Sequence, residues 1–158
     1  MPVQQQMALD SLNYIGNNYR FGAVVGENTK DATDCSGLIY GILRKKGINV
    51  SRSSADQYNE CDIIHDPRNK IDDVSAGEMG DLIFTRHGRR SRVNHVRIIL
   101  KNMGEGKYLV VHAPQTGEKV KPAIMDLNNE KDYVIGRLQD LPTITKSNNL
   151  QNSKNLES

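Results

Sequence analysis

The hydrophobic period of the chain changes part-way along its length, and that change limits the folds the chain can adopt. In residues 35–46 the apolar side chains Leu38, Ile39 and Ile42 recur at helical spacing, and Gly47 follows as a helix-terminating residue. From residue 80 onward, short apolar and β-branched runs alternate with turn sequences. Helices followed by closely spaced strands are typical of the α+β class, with the helices packed on an antiparallel sheet.

The same patterns predict the boundaries of the elements. We expect helices over residues 4–17 and 35–46, and a helical turn that Ser53 caps. The predicted strands cover residues 81–85, 95–100, 107–112 and 134–138, with a further short strand at Val120. The sheet would then have about five to six strands. The polar segments 61–73 and 86–92 are predicted to be loops.

A chain of 158 residues fits one domain, which we place at residues 1–142. Residues 143–158 are rich in Ser, Asn and Lys and are predicted to form a disordered polar tail. The net charge is only +2, and no Lys/Arg run is long enough for a nucleic-acid-binding arm. We therefore expect a monomer with no nucleic-acid partner. A basic cluster is predicted to be a solvated loop; its members are Arg86, Arg89, Arg90 and Arg92.

The N-terminal segment and the apolar runs of the chain indicate its expected localisation. Residues 1–6 lack the basic and apolar regions of a signal peptide, and no apolar run approaches the ~20 residues that span a bilayer. We expect synthesis in the cytoplasm without a leader and no membrane span. The two cysteines, Cys35 and Cys61, are too few for a disulfide framework.

Cys35 is the first candidate for chemistry, because it falls in the first turn of the predicted helix over residues 35–46. A helix N-terminus carries partial positive charge and unpaired N–H groups, and both favour a thiolate over a thiol. We therefore expect a lowered thiol pKa and a nucleophilic sulfur. The alternative is a small buried hydrophobic residue with no chemical role.

A cysteine nucleophile needs a base, and histidine is the usual one. His65 and His87 fall in predicted loops, whereas His95 opens one predicted strand and His112 closes the next. In an antiparallel pair, the start of one strand lies beside the end of the other, so these two should be neighbours. The alternative is an ordinary structural role for both. A metal site is not expected, since no two of these Cys and His residues have zinc-ligand spacing.

Six short motifs resemble, in order and spacing, those of the NlpC/P60 family of papain-like cysteine peptidases, which cut bacterial cell-wall peptides. They cover most of the chain, from about residue 19 to residue 120. The motifs are residues 19–22 (Tyr-Arg-Phe-Gly), 34–38 (Asp-Cys-Ser-Gly-Leu), 52–57 (Arg-Ser-Ser-Ala-Asp-Gln), 80–84 (Gly-Asp-Leu-Ile-Phe), 94–96 (Asn-His-Val) and 111–114 (Val-His-Ala-Pro).

The resemblance implies a papain-like NlpC/P60 fold and a set of catalytic roles. Cys35 would be the nucleophile and His95 the general base and acid. His112 would be the polar residue that orients the imidazole of His95. No metal and no organic cofactor would be needed.

The resemblance also implies which residues lie around the nucleophile. Tyr19 would lie near the oxyanion or the substrate amide, Ser36 would line the pocket, and Asp34 would brace the loop or cap the helix. Two positions depart from the family. Arg97 replaces a usual Gly and either enters the cleft, toward a substrate carboxylate, or turns to solvent. Ser53 stands where some relatives have an Asp that binds a free substrate amine.

The activity implied is hydrolysis of peptidoglycan stem peptides, with the bond between D-Glu and the diamino acid as the usual family cut. Because murein lies outside the cytoplasm, we expect signal-independent delivery to the periplasm or cell wall. One form would be a type VI secretion effector with a matching immunity protein that blocks the cleft. The alternatives are a phage tail or lysis component, a murein-peptide recycling enzyme, an acyltransferase of the same fold and a non-catalytic binding module.

Overall fold

The computed structural model describes residues 1–26, 31–87, 92–139 and 141. Within these residues the chain forms three α-helices and eight strands, in the α+β arrangement that the sequence predicts. The helices are α1 (Val3–Ser11), α2 (Cys35–Lys45) and α3 (Ser54–Asn59). The strands are β1 (Asn18–Tyr19), β2 (Ala32–Thr33), β3 (Cys61–His65), β4 (Leu82–His87), β5 (Arg92–Gly104), β6 (Lys107–His112), β7 (Lys121–Asp126) and β8 (Tyr133–Leu138). The predicted tail, residues 143–158, lies outside the described residues.

Six of the strands form one antiparallel sheet, in the order β3-β8-β4-β5-β6-β7. Strands β4 to β7 follow one another as an antiparallel meander, as predicted. Strand β8 then returns to the opposite side of the meander and lies between β4 and β3. The short strands β1 and β2 form a separate parallel pair. This pair carries Tyr19 toward the start of α2.

The sheet buries apolar side chains on both faces in its central strands. Along β4, Leu82 and Phe84 belong to the cluster that packs against α1 and α2, whereas Ile83 between them belongs to a second cluster. This alternation is what the pleat of a strand imposes. Tyr108 is the largest side chain of the second cluster, and its buried hydroxyl donates to the Val74 carbonyl at 2.7 Å. The helices thus cover one face, and the segments before β4 and after β7 help to cover the other.

Several predicted boundaries are wrong. The first helix ends at Ser11 and continues only as a 3-10 turn over Leu12–Tyr14. Leu12 and Ile15 are 45% and 41% exposed, so the apolar pattern there does not mark a buried face. The strand placed at Val120 is instead β7, which starts one residue later.

The segment 61–73 is not a continuous loop, because its first five residues form the edge strand β3. Cys61 pairs with Leu138, which lies far along the chain. His65 closes this strand and is buried, so its placement in an unheld loop is also wrong.

The prediction of a solvated basic loop over residues 86–92 is wrong at its start, because β4 extends through Arg86 to His87. The Arg86 guanidinium is buried and binds both carboxylate oxygens of Asp66, at 2.8 and 3.0 Å. It also donates to the Lys131 carbonyl at 3.0 Å. Arg92 is exposed and begins β5, whereas residues 88–91 lie outside the described residues.

Candidate active site

The start of α2 is fixed by a capping carboxylate and a close backbone contact. Asp34 is the N-cap residue, and its Oδ1 accepts a hydrogen bond from the Gly37 amide at 2.7 Å. A Cβ atom at Gly37 would lie 2.2 Å from the Ala23 carbonyl oxygen, so only glycine lets the preceding loop pack this closely. Cys35 is the first helical residue and is half-buried. The helix therefore presents the sulfur at a position held by both the cap and the loop.

The parallel pair of β1 and β2 brings Tyr19 beside this helix start. Tyr19 pairs with Thr33, which is two residues before Cys35. Burial raises the pKa of the Tyr19 phenol, and the negative charges of Cys35 and Asp34 raise it further. The phenol is therefore protonated at neutral pH and is able to donate a hydrogen bond.

Five of the residues predicted from the sequence meet at one cleft of about 380 Å³. They are Tyr19, Asp34, Cys35, Ser36 and Ser53. The remaining lining residues, which were not predicted to be functional, are Phe21, Gly22, Arg52, Ser54 and Asn94. All five belong to the motifs at residues 19–22, 52–57 and 94–96, yet only the fold shows that they share a cavity.

His95 and His112 are neighbours, as the strand topology predicts. His95 Nε2 and His112 Nδ1 are 3.0 Å apart, and the ring centroids are separated by 5.3 Å. At this distance, one proton lies between the two nitrogens. If His95 Nε2 carries it, Nδ1 of the neutral His95 ring carries no proton and can act as a base. The pair thus has the geometry of a base and an orienting group.

Burial is the main influence on the Cys35 thiol, and it raises the pKa of that group. Hydrogen bonding from the backbone of Val96 opposes this rise, and the Asp34 carboxylate adds to it. The expectation of a lowered thiol pKa is therefore wrong. The contact with Val96 also places the sulfur against β5, at the residue that follows His95.

His112 is held in its neutral form. Its pKa is lowered from 6.5 to about 4, first by burial and then by the positive charges of Arg97 and Lys121. A neutral imidazole can accept the hydrogen bond that His95 Nε2–H would donate. At neutral pH, His112 is therefore suited to orient His95 rather than to bind its proton.

Arg97 does not turn out to solvent, and its charge acts on both Cys35 and His112. It is half-buried and is not among the residues that line the cleft. Its Nη1 donates to Thr85 Oγ1 at 2.6 Å, and its guanidinium lies 5.6 Å from the centre of the Tyr133 ring. The side chain thus lies across the neighbouring strands β4 and β8.

The polar residues of the cleft are engaged with one another. Asp34 Oδ2 accepts from the Gly22 amide at 2.9 Å and from Arg52 Nη2 at 2.8 Å. Ser36 Oγ accepts from Arg52 Nη1 at 2.8 Å. Ser53 caps α3, as predicted, by accepting from the Asp56 amide at 3.1 Å. Asp34 therefore both caps the helix and braces the loop, and its substrate-binding role stays a prediction, as do those of Tyr19, Ser36, Ser53 and Arg97.

The rest of the described chain offers little competing chemistry. Cys61 is buried in the core, and burial raises the pKa of its thiol to about 12. Among the described residues, no group of three or more His, Cys, Asp or Glu side chains is placed to hold a metal ion. No helix in that part of the chain is long and apolar enough to cross a membrane.

Comparison with known proteins gives the same family at the levels of sequence and fold. The gamma-D-glutamyl-L-lysine dipeptidyl-peptidase of Bacillus subtilis (strain 168) is 28% identical over 108 residues, which are 68% of this chain and 31% of that protein. An NlpC/P60 family protein of Bacillus cereus ATCC 10987 is 25% identical with a TM-score of 0.64, over 89% of this chain and 41% of that one. An NLP/P60 family protein of Staphylococcus aureus, described as similar to lipoprotein, is 28% identical with a TM-score of 0.58, over 86% and 41%.

The chain thus spans well under half the length of these relatives. The sequence profile of the NlpC/P60 family matches residues 16–138, which include Tyr19, Cys35, His95 and His112 and most of the sheet. The chain therefore belongs to the NlpC/P60 family.

Proposed function

We propose that the protein hydrolyses an amide bond in peptidoglycan stem peptides through a Cys35 thioester. The observation that carries this proposal is the pair of His95 and His112 at 3.0 Å, beside a cysteine that starts a helix. Family membership and the dipeptidyl-peptidase relative support the reaction class.

In the first step, His95 accepts the thiol proton while the sulfur of Cys35 attacks the scissile carbonyl carbon. Because burial raises the thiol pKa, a preformed thiolate is scarce, and proton transfer accompanies attack. The charged imidazolium then donates a proton to the leaving amine, and a thioester remains. Water attacks this thioester with His95 again as base, which releases the carboxylate and restores the thiol.

The oxyanion that forms during each attack needs hydrogen-bond donors. The backbone amides of Cys35 and Ser36, at the start of α2, are candidate donors, because a helix N-terminus leaves its first N–H groups without helical partners. The Gly37 amide is already bound by Asp34 Oδ1. The Tyr19 phenol is a second candidate donor, because it lines the cleft and its raised pKa keeps it protonated. Each donor is expected to favour the transition state over the bound substrate.

The finer proposal is cleavage between D-Glu and the diamino acid. It is supported by the name of the Bacillus subtilis relative, which specifies a gamma-D-glutamyl-L-lysine bond. Delivery to the cell wall without a signal peptide, an effector role and a matching immunity protein stay predictions.

Digestion of purified sacculi tests the proposal directly. Wild type, Cys35→Ala and the matched control Cys61→Ala are incubated with sacculi, and the soluble muropeptides are identified by mass spectrometry. We expect new amines and carboxylates from wild type and Cys61→Ala and none from Cys35→Ala. Equal release by Cys35→Ala would refute the proposal, and altered acyl linkages without hydrolysis would point to transfer instead.

The role of His112 has a separate kinetic test. Since His112 orients His95 and does not line the cleft, His112→Ala should lower kcat by about a hundredfold or more while KM changes little. His112→Asn, which keeps an acceptor, should recover part of that loss. An unchanged kcat in His112→Ala would remove His112 from the catalytic group.

A further inference from the structure

One side chain binds both residues that flank Cys35. Arg52 Nη1 donates to Ser36 Oγ and Arg52 Nη2 donates to Asp34 Oδ2, each at 2.8 Å. The same Nη2 lies 3.3 Å from the Ala23 carbonyl oxygen. Arg52 also lines the cleft, ahead of α3. A single guanidinium therefore ties the loop before α3 to the residues on either side of the candidate nucleophile.

We propose that Arg52 is a positioning residue for Cys35, which fixes both of its neighbours and offsets the charge of the Asp34 carboxylate beside it. This inference rests on the proposed function for the identity of the nucleophile.

The Asp34 carboxylate is buried, and Arg52 brings a positive charge to it. The Asp34 side chain is 8% exposed and has three described donors besides Arg52, which are the Gly37 amide, the Gly22 amide and the Ser36 hydroxyl. All three are neutral, so Arg52 is the cation among them. Without Arg52, the carboxylate would stay buried and would act with its full charge on the adjacent sulfur.

Ser36 is held through both its side chain and its backbone by the segment of residues 52–57. Arg52 binds the Ser36 hydroxyl, while Gln57 Nε2 donates to the Ser36 carbonyl oxygen at 3.1 Å. A guanidinium is a rigid fork that binds two acceptors at a fixed angle, which a lysine ammonium does not reproduce. Arg52 thereby sets the distance between the wall of the cleft and the first turn of α2.

Other ionisable groups also surround the sulfur. Tyr19 faces it from β1, and His95 and Arg97 belong to the strand β5 that it contacts. These groups remain in every variant below. A change in thiol reactivity on replacement of Arg52 is therefore assigned to the Asp34 carboxylate or to the lost fork.

The test measures the rate of iodoacetamide alkylation of Cys35 between pH 6 and pH 10, followed by mass spectrometry of the labelled peptide. It compares wild type, Arg52→Gln, Arg52→Lys and the double variant Asp34→Asn/Arg52→Gln. The matched control is Arg68→Gln, which removes an exposed arginine bound to Asp132 and to the Lys131 carbonyl, away from the cleft.

We expect Arg52→Gln to move the alkylation profile to higher pH. If the thiol pKa rises by about one, the thiolate fraction at pH 7 falls about tenfold. The more basic thiolate reacts about threefold faster, which offsets part of this fall. Alkylation at pH 7 should therefore slow by about threefold. The double variant should return to the wild-type profile, and Arg68→Gln should match wild type throughout.

A wild-type profile in folded Arg52→Gln would overturn the charge part of the proposal. If Arg52→Gln does not fold, Arg52→Met replaces it in the charge test, because it removes the charge and keeps an unbranched side chain. Arg52→Lys tests the positioning part, because it keeps the charge and loses the fork. We expect this variant to keep the alkylation profile and to lower kcat on sacculi. Equal kcat in Arg52→Lys and wild type would overturn the positioning part. Alkylation needs no substrate, so failure of the proposed function, seen as inactive wild type, is distinguishable from failure here.

Discussion

Mild acid should destabilise the protein through His112, and the structure sets the size and sign of this effect. The folded chain lowers the pKa of His112 from 6.5 to about 4 because the imidazole is buried near Arg97 and Lys121. Between these two values the unfolded chain binds more protons than the folded one, so stability falls as pH falls through this window. The loss of stability begins as pH falls below about 6.5 and is complete once pH is below about 4.

The magnitude follows from the two titration curves. At pH 5 a histidine with a pKa of 6.5 is about 97% protonated, whereas one with a pKa of about 4 is about 9% protonated. The ratio of the two binding polynomials corresponds to about 2 kcal/mol of lost stability. His112 is partly exposed to solvent, which screens the charges around it, so we halve this value to about 1 kcal/mol.

Urea unfolding followed by circular dichroism at pH 7.5 and pH 5.0 measures the effect in wild type and in His112→Asn. The variant removes the titrating group from both states and keeps an acceptor for His95 Nε2, while groups away from His112, including buried His65, are present in both proteins and cancel. Wild type should lose about 1 kcal/mol more than the variant on acidification. An equal loss in the two proteins, or a smaller loss in wild type, would refute the assignment of a depressed pKa to His112.

Three further perturbations test the packing around the site and in the sheet. Iodoacetamide should label Cys35 in the native protein and Cys61 only in urea, because Cys61 is buried and its pKa is raised to about 12; native labelling of Cys61 by mass spectrometry would contradict this. Asp66→Asn should lower the free energy of unfolding in urea by about 3 kcal/mol, because it leaves the Arg86 charge buried and unpaired. Asp132→Asn, which breaks the exposed pair with Arg68, should lower it by under about 1 kcal/mol. Gly37→Ala should lower stability by about 2 kcal/mol, since its Cβ would lie 2.2 Å from a backbone oxygen, and an unchanged unfolding midpoint would refute that contact.

The parts of the fold that the sequence predicts are those whose signals are local. Helix α2 has apolar spacing and an N-cap aspartate within one stretch of chain, and β4 to β6 are separated by short turns. Strand β3 has no such signal, because its partner β8 lies more than seventy positions away and the alternation within β3 is weak. The sequence does not predict the pair of β1 and β2 either, because a strand of two residues is too short to show an alternating pattern.

The residues of the candidate site also differ in whether a sequence signal predicts their contacts. Chain order and strand direction were enough to predict that His95 and His112 are neighbours, because adjacent antiparallel strands bring their opposite ends together. The partners of Arg52 and Arg97 were not predictable, because each side chain is long and its course depends on loops and strands that pack around it. The motif at residues 52–57 marks Arg52 but does not show which atoms it binds.

The raised thiol pKa has its main origin in burial, which makes a charged sulfur costly. The backbone amides of Cys35 and Ser36, at the helix start, do lower the thiol pKa, as a helix N-terminus is expected to do. Burial outweighs them, and the charge of the adjacent Asp34 carboxylate raises the thiol pKa further. Under the proposed function, Cys35 is therefore activated by proton transfer at the moment of attack. The neutral His112 would assist this step, because it can keep the His95 ring oriented without competing for the proton.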